Sequence, residues 1–167
     1  VCPNLDKAYD VAKIFSNSYF RVYPSSDEVG SEIGVAYKNA IALASGILEG
    51  LKYGDNARAA LCTRGLAEMV RFGTALGGNS LTYLGLTGVG DLIVTSYSKH
   101  SRNFNAGLRI GMDNSAEAVI NDTKTTIEGV RTVKVIYDMA KEMDIDLPII
   151  SALHKVLFEG YSPTSVV

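Results

Sequence analysis

The stretch SSDEVGSEIGVAYKNAIALASGILEG, Ser25 to Gly50, decides the fold class. Its apolar residues Val29, Ile33, Ala36, Tyr37, Ala40, Ile41, Ala44 and Ile47 recur at helical spacing, and Ser25 with Glu28 fits a capping box at its start. One long helix with a broad buried face is therefore predicted. Gly30, Gly34 and Gly46 each lower helix propensity. Retaining them implies close packing against another helix, a bend, or a ligand lying near the backbone.

The sequence that follows keeps the helical period. A turn around Gly54 and Asp55 leads to a helix over 56–76, and LTYLGLTGVGDLIVTS (81–96) predicts short helices joined by tight turns. SRNFNAGLRIG (101–111) gives another helix, and Asn114 with Glu117 suggests a cap before AEAVI. A Thr125/Glu128 capping box opens a helix over TIEGVRTVKVIYDMAKEM (126–143), and a final helix starts near Pro148 and stops at Gly160. Upstream, residues 1–24 differ. Leu5, Tyr9, Ala12 and Phe15 allow an amphipathic helix, and YFRVY, Tyr19 to Tyr23, is rich in strand-forming residues before Pro24. A lone strand cannot complete a sheet, so this segment is expected to be the orphan helix-strand end of an α/β domain. The division is then 1–24, tail of an incomplete nucleotide-binding domain, and 25–167, a mainly α helical domain.

The 167 residues carry 16 Lys plus Arg against 18 Asp plus Glu, a formal charge of −2, which argues against broad capture of nucleic acid. Apolar runs break well before the roughly 18 residues of a membrane-spanning helix. Cys2 and Cys62 have no useful metal spacing, nor do His100 and His154, so neither a disulfide framework nor a metal centre is suggested. Spare cysteines fit a reducing compartment, and a cytoplasmic location is expected. The chain begins at Val1, which suggests a processed product or a part of something larger.

Several polar residues could carry chemistry. Lys38 sits mid-helix among apolar neighbours. A lysine there either snorkels to solvent, binds an anion or, with lowered proton affinity, takes a proton. Asn39 beside it is either a packing residue or a further ligand to the same species. Asp91 interrupts GVGDLIV and, if buried, needs hydrogen bonds or a positive partner. TSYSKHSRNFN gathers Thr95, Ser101, Arg102 and Asn103; its hydroxyls, amides and guanidinium could bind a phosphate or simply cap a helix. Glu128 reads first as a helix-capping residue, and His154 as structural. Arg64 and Arg71, seven apart, read as a solvated or interface face.

Together EIGVAYKNAIALASGILEGLKYGDNARAALCTRGLAEMVRFGTALGG, TYLGLTGVGDLIVTSYSKHSRN and TIEGVRTVKVIYDMAKE resemble the C-terminal substrate domain of bacterial-type NAD(P)-dependent glycerol-3-phosphate dehydrogenase. The resemblance implies a helical domain of the 6-phosphogluconate dehydrogenase class attached to an N-terminal Rossmann domain. It also implies hydride exchange between dihydroxyacetone phosphate and sn-glycerol 3-phosphate with NAD or NADP, at the entrance to glycerophospholipid synthesis. By the same resemblance Lys38 is the general base and a substrate contact, and Asp91 is its acidic substrate-binding partner. Ser101, Arg102 and Asn103 bind substrate and its phosphate. Arg102, Ile127 and Glu128 touch the cofactor, while Asn39 and Thr95 border the site. Tyr37 stands where the family more often has Leu. The glycine-rich Rossmann opening and the N-terminal substrate lysine are absent, so the isolated chain is expected to be inactive and its preference between NADH and NADPH is not readable. A homodimer is compatible with the resemblance. The alternative is a noncatalytic helical interaction or assembly domain, which the sequence upstream of Val1 would discriminate.

Overall fold

A computed structural model describes residues 1–122 and 126–167. In chain order the helices are α1 (Leu5–Phe15), α2 (Glu28–Gly50), α3 (Asp55–Ala75), α4 (Ser80–Tyr83), a π-helical turn (Leu86–Gly90), α5 (Asp91–Tyr97), α6 (Arg102–Asp113), α7 (Glu117–Ile120), α8 (Glu128–Glu142) and α9 (Pro148–Phe158), followed by a 3₁₀ turn (Pro163–Ser165). The long α2 is the axis of the domain. It packs most extensively on α6 and also on α3, α5 and α8, so its middle is buried nearly all round.

Sequence and local chemistry explain how α2 starts and what it can touch. Its N-cap is Asp27, whose Oδ1 accepts the Gly30 N–H at 2.9 Å, while Oδ2 accepts from the Asn79 N–H and the Thr82 hydroxyl and so ties the start of α2 to α4. Burial pushes the Asp27 carboxyl upward, but these bonds outweigh it and hold it below its ordinary value. The expected Ser25/Glu28 box is displaced by two positions: Ser25 Oγ accepts the Asp27 N–H instead. Of the readings open for the α2 glycines, packing against another helix is the one observed at Gly46. A Cβ at Gly46 would run into the Phe104 carbonyl of α6, and one at Gly107 into the Leu43 carbonyl of α2, so these two helices meet backbone to backbone.

The remaining helices follow the predicted spans closely. Asn114 is a left-handed C-cap of α6 (φ 50°) and not the start of α7, whose first N–H groups are instead met by Ser115 Oγ at Glu117. Pro148 opens α9, and Gly160 follows its end at φ +75°. Ile127 is the N-cap of α8; the other member of the expected capping box, Thr125, lies outside the described residues.

The N-terminal expectation fails. α1 forms, capped by Asn4, but Tyr19–Tyr23 is not a strand, and among the described residues there is no β-strand at all. Asn17 Oδ1 accepts the N–H groups of Tyr19 and Phe20, and the Asn17 N–H donates to the Phe20 carbonyl, which makes a turn. High β-propensity records a fit to a pleated, half-buried surface, and no neighbouring strand supplies one here. Tyr19 is 90% exposed. The fold is therefore all-helical, without the orphan helix-strand piece of a Rossmann domain.

Candidate functional site

Four helices, α2, α5, α6 and α8, bring the polar residues together. On α2, Gly34 lies one turn before Lys38, and a Cβ there would overlap the Thr87 carbonyl. The π-helical turn can therefore lie directly on α2, which delivers Asp91, the first residue of α5, to the Lys38 side chain. Lys38 Nζ lies 2.5 Å from Asp91 Oδ2, with the two side chains 18% and 30% exposed. Asp91 Oδ1 accepts from the Thr95 hydroxyl one turn along α5, at 3.2 Å. The lysine thus has the carboxylate partner that a largely buried amine needs, and both side chains keep some solvent exposure.

A second group sits beside the first, because Asn39 is the next residue of α2. Asn39 is buried and donates Nδ2 to Glu128 Oε2 at 3.2 Å, while Glu128 Oε1 lies 3.4 Å from Arg102 Nη2. Arg102, the first residue of α6, is largely exposed, and it shares a cavity of about 190 Å³ with Asn105, Arg109 and Ile127. Ser101 is the N-cap of α6, its Oγ accepting the Phe104 N–H at 3.2 Å. Asn103 is buried and caps α8 rather than its own helix: its Oδ1 accepts the Gly129 N–H at 2.8 Å, filling the place left by Ile127, which has no capping side chain. Glycine at 129 is required sterically, since a Cβ would press on the Asn39 carbonyl and Asn103 Oδ1. A groove of about 680 Å³ runs along α2 past Glu32, Val35, Ala36 and Asn39 to Glu128 and Arg131.

The structure therefore gathers Lys38, Asp91 and Thr95 in one cluster and Asn39, Arg102, Asn103, Ile127 and Glu128 in its neighbour, with Ser101 at the root of the second. Chemically the arrangement offers an amine held by a carboxylate, able to exchange a proton with a bound hydroxyl, and an exposed guanidinium able to hold an anion. Arg102, Ile127 and Glu128 could contact a nucleotide along one edge. The described residues provide no βαβ unit with a glycine-rich turn to hold its pyrophosphate. No group of His, Cys, Asp or Glu among them is arranged for a metal ion. An apolar cavity of about 400 Å³ between α2, α3 and α9, with Arg64 as its charged member, contains none of these residues.

His100 is exposed and outside both clusters, whereas His154 stacks on Tyr137 at 3.7 Å between centroids and bonds Glu159. Two buried charged residues went unnoticed in the sequence, Arg58 and Glu68. Both lie on the inward stripe of α3, Arg58 in step with Cys62, Gly65, Met69 and Phe72, so a charge at core spacing was the available signal.

Residues 27–167 match the family described as NAD-dependent glycerol-3-phosphate dehydrogenase C-terminus. Among curated relatives, the chain is 53% identical over 166 residues to a glycerol-3-phosphate dehydrogenase [NAD(P)+] of Geobacillus kaustophilus, covering 99% of the chain and 48% of the relative. It is 56% identical over 153 residues to the protein of that name from Bacillus subtilis, covering 92% and 44%. The crystal structure of glycerol-3-phosphate dehydrogenase from Coxiella burnetii superposes with a TM-score of 0.89 at 36% identity, covering 98% of the chain and 50% of that one. The chain thus spans about half the length of the relatives it matches.

Proposed function

The chain belongs to the family of NAD-dependent glycerol-3-phosphate dehydrogenase C-terminal domains, and from that membership we propose that residues 25–167 are the substrate-binding and catalytic side of an enzyme interconverting sn-glycerol 3-phosphate and dihydroxyacetone phosphate. The observation that carries the reading is the Lys38–Asp91 pair, partly open to solvent and backed by Thr95. Lys38, as the neutral amine, accepts the proton of the C2 hydroxyl in oxidation and returns it to the C2 oxygen in reduction. Asp91 holds the Lys38 amine in place and stabilises the ammonium once the proton has arrived. Arg102 meets the substrate phosphate with its planar fork, and Ser101 and Asn103 keep the α6 N-terminus and α8 in register around it. Arg102, Ile127 and Glu128 border the nicotinamide nucleotide, NAD or NADP, which when bound supplies or accepts the hydride. We place the reaction in the cytoplasm, at the entrance to glycerophospholipid synthesis. Free cysteines at 2 and 62 suit a reducing compartment, and no described helix is long and apolar enough to cross a membrane.

The test is dihydroxyacetone phosphate reduction by the full-length protein carrying this chain, followed by loss of NADH or NADPH absorbance. Lys38→Met should keep the circular dichroism spectrum and lower turnover by roughly 10²- to 10⁴-fold. Near-parental turnover in the folded variant would remove Lys38 from the base role.

A further inference from the structure

Arg58 belongs to α3, a helix that contributes none of the residues assigned above, yet its guanidinium touches three of the four helices that do, α2, α5 and α6. It is 7% exposed. On α2 it donates Nε to Ser45 Oγ at 3.3 Å and Nη1 to Glu49 Oε2 at 2.8 Å. On α5 it donates Nη2 to the Ser96 carbonyl at 3.3 Å and lies over the Tyr97 ring at 4.4 Å from the centroid. On α6 it faces the Phe104 ring at 5.4 Å. Ser45, Lys38's neighbour two turns along α2, donates its hydroxyl to the same Ser96 carbonyl at 2.8 Å.

That carbonyl lies in the last turn of α5, where an α-helix leaves acceptors without partners, and the residue that follows, Ser98, is extended. Arg58 and Ser45 supply the missing donors, and the positive charge lies at the end of the helix that favours it. The far end of the same short helix is Asp91. With seven residues, α5 has little internal cohesion of its own, so its placement depends on what holds its two ends. The Lys38 ion pair is one of those ties and the Arg58 fork is the other.

We infer that Arg58 is the positioning residue of the site: by joining α2, α5 and α6 from behind, it sets Asp91 against Lys38 and Arg102 against both. The inference rests on the proposed dehydrogenase reading for its kinetic consequences, and on the geometry alone for its thermodynamic ones. Arg58→Lys keeps the charge but not the three-way fork. Arg58→Ala leaves a guanidinium-sized space.

In the full-length protein both variants are measured for Tm and for kcat and KM with dihydroxyacetone phosphate, the alanine variant with and without added guanidinium chloride at constant ionic strength. Each should lower kcat by roughly 100-fold, the scale of a 1 Å misplacement, and raise KM through Arg102. Guanidinium should restore part of kcat in Arg58→Ala, and sodium chloride should not. Combining Arg58→Ala with Asp91→Asn should lower Tm by less than the sum of the two single effects, because the two substitutions release opposite ends of one helix. Folded variants with parental kcat and KM overturn the inference. So does activity lost only in proportion to folded protein and unmoved by guanidinium, since Arg58 would then act on stability alone. Should the parental protein not reduce dihydroxyacetone phosphate, the dehydrogenase reading fails, and the Tm cycle still decides this one: additive effects refute it, and non-additive effects sustain it.

Discussion

Glu68 is the buried charge whose removal is easiest to price from its surroundings. It is 4% exposed, accepts the Tyr37 hydroxyl at 3.0 Å, and takes the Ile149 and Ile150 N–H groups at 2.7 and 3.4 Å. Those two N–H groups open α9, which has no capping side chain of its own because Leu147 stands at the N-cap. Glu68→Ala therefore strands three donors. At about 1 kcal/mol each, the low end for an unmet buried group, the loss is about 3 kcal/mol, or roughly 6–12 °C in Tm for a domain of this size. Glu68→Gln keeps an acceptor oxygen but turns an NH₂ toward other donors, and it should fall between. The pH dependence carries a sign. Burial raises the Glu68 carboxyl above its ordinary 4.5, only partly offset by its hydrogen bonds and by Arg71. Above 4.5 and up to the raised value the native state holds more protons than the unfolded one, so this contribution is full below 4.5 and is lost as pH rises through the raised value. The difference in Tm between the parental chain and Glu68→Gln should accordingly widen on going from pH 7 toward about 4.5. Thermal unfolding by circular dichroism across that range is the assay. A gap independent of pH, or Glu68→Ala unfolding within about 1 °C of the parent, would refute the reasoning.

Two further outcomes are expected. In the full-length protein Arg102→Ala should erode the preference for glycerol 3-phosphate over glycerol, with Arg102→Lys intermediate because it keeps charge without the fork; kcat/KM for both substrates measures this, and an intact preference removes Arg102 as phosphate anchor. Gly46→Ala should lower Tm although alanine gains about 1 kcal/mol of helix propensity, because its methyl meets the Phe104 main chain and such overpacking costs about 1–3 kcal/mol; thermal unfolding by circular dichroism checks it.

Much of the fold was legible in the chain because its helices are amphipathic and punctuated: the period through Tyr37, Ile41 and Ile47, Pro148 at a start, Gly160 past an end. YFRVY misled because strand-forming residues say what surface they suit and not whether a partner strand exists. The site was legible only in part. Lys38 and Asp91 each stood out as charges among apolar neighbours, but 53 positions separate them, and nothing local encodes the approach of the π-helical turn to Gly34 that joins them. Asn103 read as a possible ligand or a cap for its own helix, yet it caps α8, a tertiary choice invisible to spacing. Arg58 and Glu68 were hidden by the habit of assigning charged helix residues to solvent.

The contact between α2 and α6 works as a ruler. Where Gly46 and Gly50 face Gly107 and Gly111, main-chain atoms of one helix rest on those of the other, so the separation is set by atoms that every amino-acid sequence shares. Exchanging one aliphatic side chain for another elsewhere in the core can change its volume without changing that separation. The helix bearing Lys38 and the helix bearing Arg102 are thus held apart by a fixed gauge, and a chain of this kind can drift widely in its interior while the separation of those two helices stays the same.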